Sequence, residues 1–355
     1  MAGYLYSITP LIRELFEKQI HEIDLAEKKF FHTMSIRTDS LLAKRVFSSD
    51  IENQSIGIAM YRKNQEIDCF FSMIQQPPAM GANLGIMGMG AINSDSLKRQ
   101  RHGGRICFDA GTSEARHIFF ENLTCDDTSK NIEAQTRSIF EQMERGLNDF
   151  HTTISDSVLR TWIYLGNIEA DYTAMVKARR EIFEKINLIG ETHYISSTGI
   201  EGKTHKKGSA ISMDAWAAAS TQKNSVRYIE APEYMCPAHF YGATFERATC
   251  ISISDIDLLT ISGTASIDRD GNIMHVGNIG GQTERTVENI EALLKTAGFD
   301  KQDLAGIIVY VKETGFLMPV RNILERCWPG LPAIYVKASV CRTDWLVEIE
   351  GLAAR

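Results

Sequence analysis

From residue 131 onwards, apolar and polar positions follow the spacings of helices and strands. In NIEAQTRSIFEQMERGLNDF the apolar residues recur at helical spacing, and DYTAMVKARREIFEKI predicts a second helix. SVLRTWIYL and SAISMDAWAA have the β-branched content or the alternation of strands. The segment 131–220 is therefore predicted to hold helices and strands in alternation.

The same pattern returns in the last hundred residues. LLTISGTASI, DLAGIIVYVKE, AIYVKASV and LVEIEGLAA predict strands, while ERTVENIEALLKTAG and GFLMPVRNILERCW predict helices, the first closed by Gly298. A shift of about 146 residues lays VLRTWIYL on LAGIIVYV, and with one longer loop AISMDAWAA lies on LVEIEGLAA. The order helix, strand, helix, strand, strand thus occurs twice, which indicates an internal duplication.

These patterns predict an α+β protein built from two similar units, each a mixed sheet with helices packed on one face. We expect an N-terminal domain over 1–235, with its unit at about 131–220, and a C-terminal domain over 236–355. The proline-containing stretch PEYMCPAHFYGATFERATC marks the crossing between them. Residues 1–45 are predicted to form a charged helical or irregular arm, and the runs IGIAMYR, DCFFSMI, GANLGIMGMGAIN and GGRICFDAG, between 50 and 125, to form short strands and loops.

Composition excludes several classes of function. The chain of 355 residues has a formal net charge of -7, which does not favour wide contact with a nucleic-acid backbone. Its seven cysteines include no C-x-x-C pair, and its nine histidines show no ligand spacing, so neither a metal site nor a redox motif is predicted. No signal peptide and no run of about 18 apolar residues is present. We expect a reduced, cytoplasmic protein with no cofactor and no nucleic-acid or membrane partner.

Candidate chemistry lies where the two copies differ. In the alignment Glu350 faces Asp214, but Glu348 faces Ser212, so only the second copy has an acid at that position. Residues 348 and 350 lie on the same face of a strand, about 7 Å apart, and two like charges in a half-buried cleft raise the pKa of one of them. A carboxylic acid that stays protonated near neutrality is what general acid catalysis needs. The alternative, a solvent-facing strand of alternating charge, remains open at this point.

Cys341 begins the short VCRTD connection, seven residues before Glu348, and a hairpin there would bring the two close together. The alternative for a free cysteine is a small buried apolar residue. SSTGI and YGATF are predicted loops whose backbone N–H groups could bind an oxyanion or a carboxylate, with plain turns as the alternative.

Arginines are candidate anion ligands. Arg160 lies inside an apolar strand, where a guanidinium needs an anion or access to solvent; Arg247 and Arg342 are further candidates. The Arg179–Arg180 pair lies on a helix rich in lysine and glutamate, and we expect it to form a solvated face.

Residues 258 to 353 resemble the Rid (YjgF-like) superfamily. The resemblance is carried by LLTISGTASI, the helix from Gln282 to Leu294, LAGIIVYVKE, LPAIYV and LVEIEGLAA. In Rid imine deaminases an arginine that binds the substrate carboxylate follows the Pro-Ala pair. Here Pro332 and Ala333 are followed by Ile334, which argues against that activity.

A longer resemblance, over about 158 to 353, is to the chorismatases, which have two Rid-like units and release pyruvate from chorismate. It is carried by RTWIYLGNI, SSTGI, APEYMCPAHFYGATFERAT, ISGTASI, MHVGNIGGQTERTVENI and VCRTDWLVEIEG. The resemblance implies that Glu348 is the catalytic acid and that Cys341 occupies the position where the 3-hydroxybenzoate-forming type has cysteine. It implies a substrate site formed by Arg160, Tyr241, Arg247, Gly199, Gly263 and Arg342.

The implied ligand is a small dicarboxylate, chorismate, and the implied assembly is a homotrimer or a monomer. The family's Gly-His is Asp268–Arg269 here, and its usual second histidine is Val276. Two alternatives remain open: a related enzyme acting on another enol ether or imine, and a non-catalytic Rid-like protein that binds a ligand.

Overall fold

The computed structural model describes most of the chain, and every structural statement below concerns residues 3–10, 14–65, 67–91, 97–102, 105–110, 115–220, 226–253 and 256–355. The ends of the predicted segments GANLGIMGMGAIN and GGRICFDAG lie outside these residues. The structure contains three sheets, each covered by helices.

The first sheet forms a unit that the sequence did not predict. Its strands have the spatial order β1-β4-β2-β3, with β2 and β3 parallel and the other pairs antiparallel. Asp50 caps the second helix by accepting a hydrogen bond from the Asn53 amide at 3.3 Å. The elements of this first unit are β1 (Gly3–Ile8), α1 (Phe16–Thr33), β2 (Leu41–Ser48), α2 (Ile51–Lys63), β3 (Phe70–Gln75) and β4 (Leu84–Ala91).

The second unit contains the predicted core at 131–220. Its sheet has the order β5-β6-β7-β10-β8-β9, and Asn131 and Asn167 cap its two long helices. The elements are β5 (Leu97–His102), β6 (Arg105–Ala110), β7 (Ala115–Thr124), α3 (Ile132–Asn148), α4 (Ile154–Ser157), β8 (Val158–Leu165), α5 (Ile168–Lys185), β9 (Ser196–Glu201) and β10 (Ile211–Ser220).

The third unit is the predicted C-terminal one. Its sheet has the order β11-β12-β13-β16-β14-β15. Gly298 ends its first helix in the left-handed conformation, with φ of 85°, as predicted. The elements are β11 (Val226–Ile229), β12 (Ala248–Ile253), β13 (Ile256–Thr264), α6 (Ile279–Ala297), β14 (Leu304–Val311), α7 (Leu317–Cys327), β15 (Ala333–Lys337) and β16 (Val347–Ala354).

All three units share one topology. Each contains strand, helix, strand, helix, strand and strand, and the fourth of these strands lies between the first and the second. The registers reproduce the predicted alignment of the second and third units, because equivalent strand positions have equivalent partners. These pairs are Ser212 with Tyr164, Glu348 with Tyr310, Asp214 with Trp162, and Glu350 with Ile308.

The predicted fold class, α+β with Rid-like units, is confirmed, and the first unit adds a third copy to the two predicted. The described residues up to 45 do not form an arm, since they belong to β1, α1 and the first part of β2. IGIAMYR belongs to helix α2 instead of a strand, and SSTGI is strand β9 instead of a loop. The domain boundary at 235 stays a prediction; the third sheet begins earlier, at β11.

The three units pair with one another in a ring. The Gln75 amide donates to the Lys203 carbonyl at 2.8 Å, the Ala79 amide to the Tyr335 carbonyl at 2.9 Å, and the Glu246 amide to the Ile195 carbonyl at 3.1 Å. These bonds join the first unit to the second, the first to the third, and the third to the second. None of the helices in the described ranges combines the length and the hydrophobicity of a membrane-spanning segment.

Candidate active site

A pocket lies between the second and third units. The second unit contributes Tyr172 and Arg179 from α5 and Ser197 and Gly199 from β9. From the third unit come Tyr241, Phe245, Arg247, Gly263, Ala265, Ile267, Cys341, Trp345 and Glu348. The structure therefore brings together most of the site residues that the sequence predicted: Glu348, Cys341, Tyr241, Arg247, Gly199 and Gly263.

Glu348 lies on β16 and is only 5% exposed. Burial, and secondly the neighbouring Glu350, raise the pKa of its carboxyl to about 8, against an opposing influence of Arg160 and Arg247. The alternative of a solvent-facing strand is wrong, since Glu350 is 4% exposed. The predicted pairing of two acids on one face is present, but burial contributes more to the raised pKa than the like charge does.

Gly263 makes room for this carboxyl group. The pairing of β13 with β16 shifts register between Ile261 and Thr264, as at a bulge. A Cβ atom on Gly263 would lie 2.0 Å from Glu348 Oε1 and 3.1 Å from Thr198 Cγ2. Only glycine leaves space for the observed position of the acid.

The Cys341 thiol lies in the same pocket. The connection that carries it joins β15 to β16 and is not the predicted hairpin, because β14 lies between these two strands in the sheet. Burial, followed by the nearby Glu348, raises the pKa of the thiol to about 12, and the Tyr172 hydroxyl is hydrogen-bonded to it. Cys341 is therefore a neutral thiol at physiological pH and is not poised as a thiolate nucleophile.

Arg247 and Tyr241 line the pocket together. The Arg247 guanidinium donates from Nη2 to the Cys236 carbonyl at 2.7 Å and lies 5.5 Å from the Tyr241 ring centroid. Arg342 is not among the lining residues: it stacks on Tyr241 at 4.6 Å and on Trp345 at 4.8 Å, and donates to the Gly271 carbonyl. Arg342 therefore packs against Tyr241 and Trp345, two aromatic residues of the pocket, without lining the pocket itself.

Arg179 is the charged residue of the pocket that the sequence analysis did not place there. The expectation of a solvated face is wrong for it, since it is 2% exposed and lines the pocket. Its Nε donates to Thr244 Oγ1 at 2.7 Å and its Nη1 to Ser197 Oγ at 3.4 Å. The spacing of apolar residues in the sequence indicates that Arg179 lies on the buried face of the helix, because position 179 follows the buried Met175 by four residues and precedes the buried Phe183 by four.

Arg160 has a different environment from the one predicted. It is 1% exposed, but its Nη2 donates to Glu350 Oε2 at 2.9 Å, and it is not among the residues that line the pocket. The anion that this buried guanidinium requires is thus a glutamate of the same chain. Its predicted role as a substrate clamp is not supported by this position.

The sequence departures noted above are not among the residues that line the pocket, although Asp268 follows the lining residue Ile267. Asp268 accepts hydrogen bonds from the amides of Asp270 and Asn272 in a turn, and Val276 is 62% exposed. Neither they nor Arg269 line the pocket. Across the part of the chain that the structure describes, no group of three or more His, Cys, Asp or Glu side chains could hold a metal ion.

The first comparison with known proteins concerns the third unit. Residues 250–355, which make up most of the third unit, match the family described as Endoribonuclease L-PSP. The predicted resemblance of this part of the chain to the Rid proteins is thereby confirmed.

Two relatives extend the comparison to the rest of the chain. A crystal structure of a chorismatase matches with a TM-score of 0.68 and 18% identity, covering 99% of this chain and 98% of its own. The 3-hydroxybenzoate synthase of Streptomyces hygroscopicus is 29% identical over 244 residues, which are 61% of this chain and 68% of that protein. The predicted resemblance to the chorismatases is confirmed, and the chain has the chorismatase fold over nearly its whole length.

Proposed function

We propose that the protein cleaves pyruvate from chorismate by acid catalysis and forms 3-hydroxybenzoate. The observation that carries this proposal is Glu348, a buried carboxyl whose pKa is raised to about 8, so that it is protonated at neutral pH inside a pocket. A general acid needs this state. The similarity to a 3-hydroxybenzoate synthase and to a chorismatase supports the substrate.

The chemistry fits the side chains of the pocket. Chorismate carries two carboxylates and an enol ether, and Arg179 and Arg247 offer two guanidinium groups for the carboxylates. Glu348 donates its proton to the methylene carbon of the enol ether, which forms an oxocarbenium ion. The C–O bond to the ring then breaks, pyruvate leaves, and rearrangement with loss of a ring proton gives the aromatic acid. Pyruvate and 3-hydroxybenzoate together contain the atoms of chorismate, so no oxidant and no net water is required.

The alternative of a Rid-type imine deaminase is not supported, because this chain lacks the arginine with which those enzymes bind the substrate carboxylate. Ile334 stands in its place, is fully buried, and lies with its Cδ1 3.0 Å from where a Cβ of Gly85 would be. The direct test is to incubate the protein with chorismate and to measure pyruvate and aromatic products by chromatography. Absence of pyruvate at every pH between 5 and 9 would refute the proposal.

Replacing Arg179 with alanine is expected to raise KM for chorismate by about 10- to 100-fold with a smaller change in kcat. The physical reason is the loss of a charged hydrogen bond to a substrate carboxylate, which costs roughly 1.5–3 kcal/mol. Lys177→Ala on the exposed side of the same helix is the matched control, since Lys177 only pairs with Glu133 at the surface. Equal KM values in the two variants would remove Arg179 from the substrate site.

Cys341→Ala is expected to change the product while pyruvate release continues. The small change of volume should alter the free energy of unfolding by about 1 kcal/mol or less. If the thiol steers the ring intermediate, water competes in its absence, and a dihydroxycyclohexadiene carboxylate replaces part of the 3-hydroxybenzoate. Chromatography of the products measures the ratio; an unchanged ratio would make Cys341 a packing residue.

A further inference from the structure

Glu350, a second buried acid, lies two residues after Glu348 on β16 and has no role in the reaction steps described above. Glu350 accepts hydrogen bonds from Arg160 Nη2 at 2.9 Å, Trp162 Nε1 at 2.8 Å and Thr198 Oγ1 at 2.5 Å, all in the second unit. Arg45 Nη1, from the first unit, lies 3.5 Å from Glu350 Oε1, the oxygen that also accepts from Trp162. These donors fix the orientation of the carboxylate.

Arg45 of the first unit contacts Glu350 of the third unit and two residues of the second unit. Its guanidinium lies 4.1 Å from the Trp162 ring centroid, and its Nε lies 3.9 Å from Asp214. Arg160 lies 5.0 Å from the same ring. Two arginines and two acidic side chains are therefore buried close together where the three units meet.

The threefold arrangement provides an internal comparison. Ser72 donates to Asp214 between the first and second units, as Thr198 donates to Glu350 between the second and third. Beside Asp214, however, stands Ser212 in place of a second acid. The buried acid thus occurs with and without a neighbouring carboxyl group in one molecule.

We propose that Glu350 is a positioning residue for the reaction: Arg160, Thr198 and Arg45 hold its carboxylate in place on β16, and its negative charge disfavours ionisation of Glu348 in the resting enzyme. This inference rests on the proposed function of Glu348 as the acid. The two residues are two positions apart on one face of β16, so a fixed negative charge on one disfavours a second charge on the other. Arg45 and Arg160 partly neutralise Glu350 and limit this effect.

Few other charges act on Glu348. Tyr172, Tyr241, Tyr310 and Cys341 face it or lie close to it, and burial raises the pKa of each, so they stay neutral below about pH 9. The charged groups around Glu348 are Glu350 on β16, Arg160 on β8, Arg179 on α5 and Arg247 before β12.

The test compares Glu350→Gln and Arg45→Gln through the pH dependence of kcat/KM for chorismate. Loss of the anion in Glu350→Gln is expected to move the alkaline limb to lower pH by about one unit or more. Loss of a cation in Arg45→Gln should move the limb in the opposite direction. Asp214→Asn, which removes the equivalent acid, should leave the limb within about 0.3 unit of its wild-type position.

A second readout is independent of turnover. The infrared carbonyl band of the protonated Glu348 carboxyl, identified by its loss in Glu348→Gln, reports the same titration directly. If no variant cleaves chorismate, the proposed function fails, while the shifts of this band still decide the role of Glu350. An unmoved titration in Glu350→Gln, or an equal shift in Asp214→Asn, overturns the proposal. Should Glu350→Gln not fold, an unmoved titration in Arg45→Gln overturns it as well.

Discussion

Glu348→Gln is expected to lower kcat for pyruvate release by about 10²- to 10⁴-fold, because glutamine preserves the shape of the side chain but cannot supply the proton. In the wild type, kcat/KM should fall as the pH rises through about 8, where the carboxyl loses its proton. Steady-state kinetics with chorismate from pH 5 to 9 measure both effects. Retention of more than a tenth of the wild-type rate would show that Glu348 is not the acid.

Stability measurements on the same variant separate catalysis from folding. Since the pKa of Glu348 is raised from 4.5 to about 8 by folding, the folded state binds an extra proton between these values. Stability from this group is fully present below pH 4.5 and is lost as the pH rises through 8, by at most about 5 kcal/mol. Glu348→Gln lacks this loss, so the variant should unfold at higher denaturant concentration than the wild type at pH 9. The reverse order would contradict the raised pKa.

Gly263→Ala is expected to reduce activity by about 100-fold or more while the protein remains folded. The added methyl group would meet Glu348 Oε1 at 2.0 Å, so the carboxyl must leave its place, and a misplacement of about 1 Å costs roughly 10²-fold. The measurement is kcat/KM together with a thermal unfolding curve.

Gly199→Ala is the matched control for this variant. Its Cβ would lie 3.3 Å from Tyr172 Cε2, a contact that a small movement of the ring relieves. We expect a loss of less than about 10-fold, because the acid itself is not displaced. Equal losses in the two alanine variants would mean that crowding of the pocket, and not displacement of Glu348, explains the effect.

The second and third units could be predicted because their patterns are locally consistent. The buried strands of VLRTWIYL and LAGIIVYV are continuous apolar runs, and helix α6 has a capping Asn278 and a terminal Gly298. The alignment of the two copies placed Glu348 opposite Ser212, and the strand registers agree with it. The candidate acid was therefore within reach of sequence reasoning alone.

The first unit was missed because its second helix has apolar residues on its exposed face as well as on its buried face. Ile56 and Met60 on α2 are 75% and 62% exposed, whereas the polar Gln54 is 7% exposed. Apolar residues on the outer side of IGIAMYR make the segment resemble a buried strand. With that helix misassigned, the order of elements that marks the repeat could not be recognised.

The arginines show a different limit. Arg160 was predicted to bind a ligand because it is isolated in an apolar strand, but its partner Glu350 is 190 residues away in the chain. Arg179 was assigned to solvent on the composition of its helix, although its position on the buried face was visible. Which arginine is already neutralised depends on tertiary contacts that no local pattern contains.

The covalent linkage of the three units has a consequence for how such a site can diverge. In an assembly of identical subunits every substitution is repeated at each interface, so a change that helps one copy of a site alters all of them. Here one junction holds Glu350 with Thr198, another holds Asp214 with Ser72, and the third places Ile334 against Gly85. Tandem fusion lets each junction accept its own mutations. One junction can therefore acquire catalytic residues, while substitutions at the other two junctions can stabilise the packing of the units against each other.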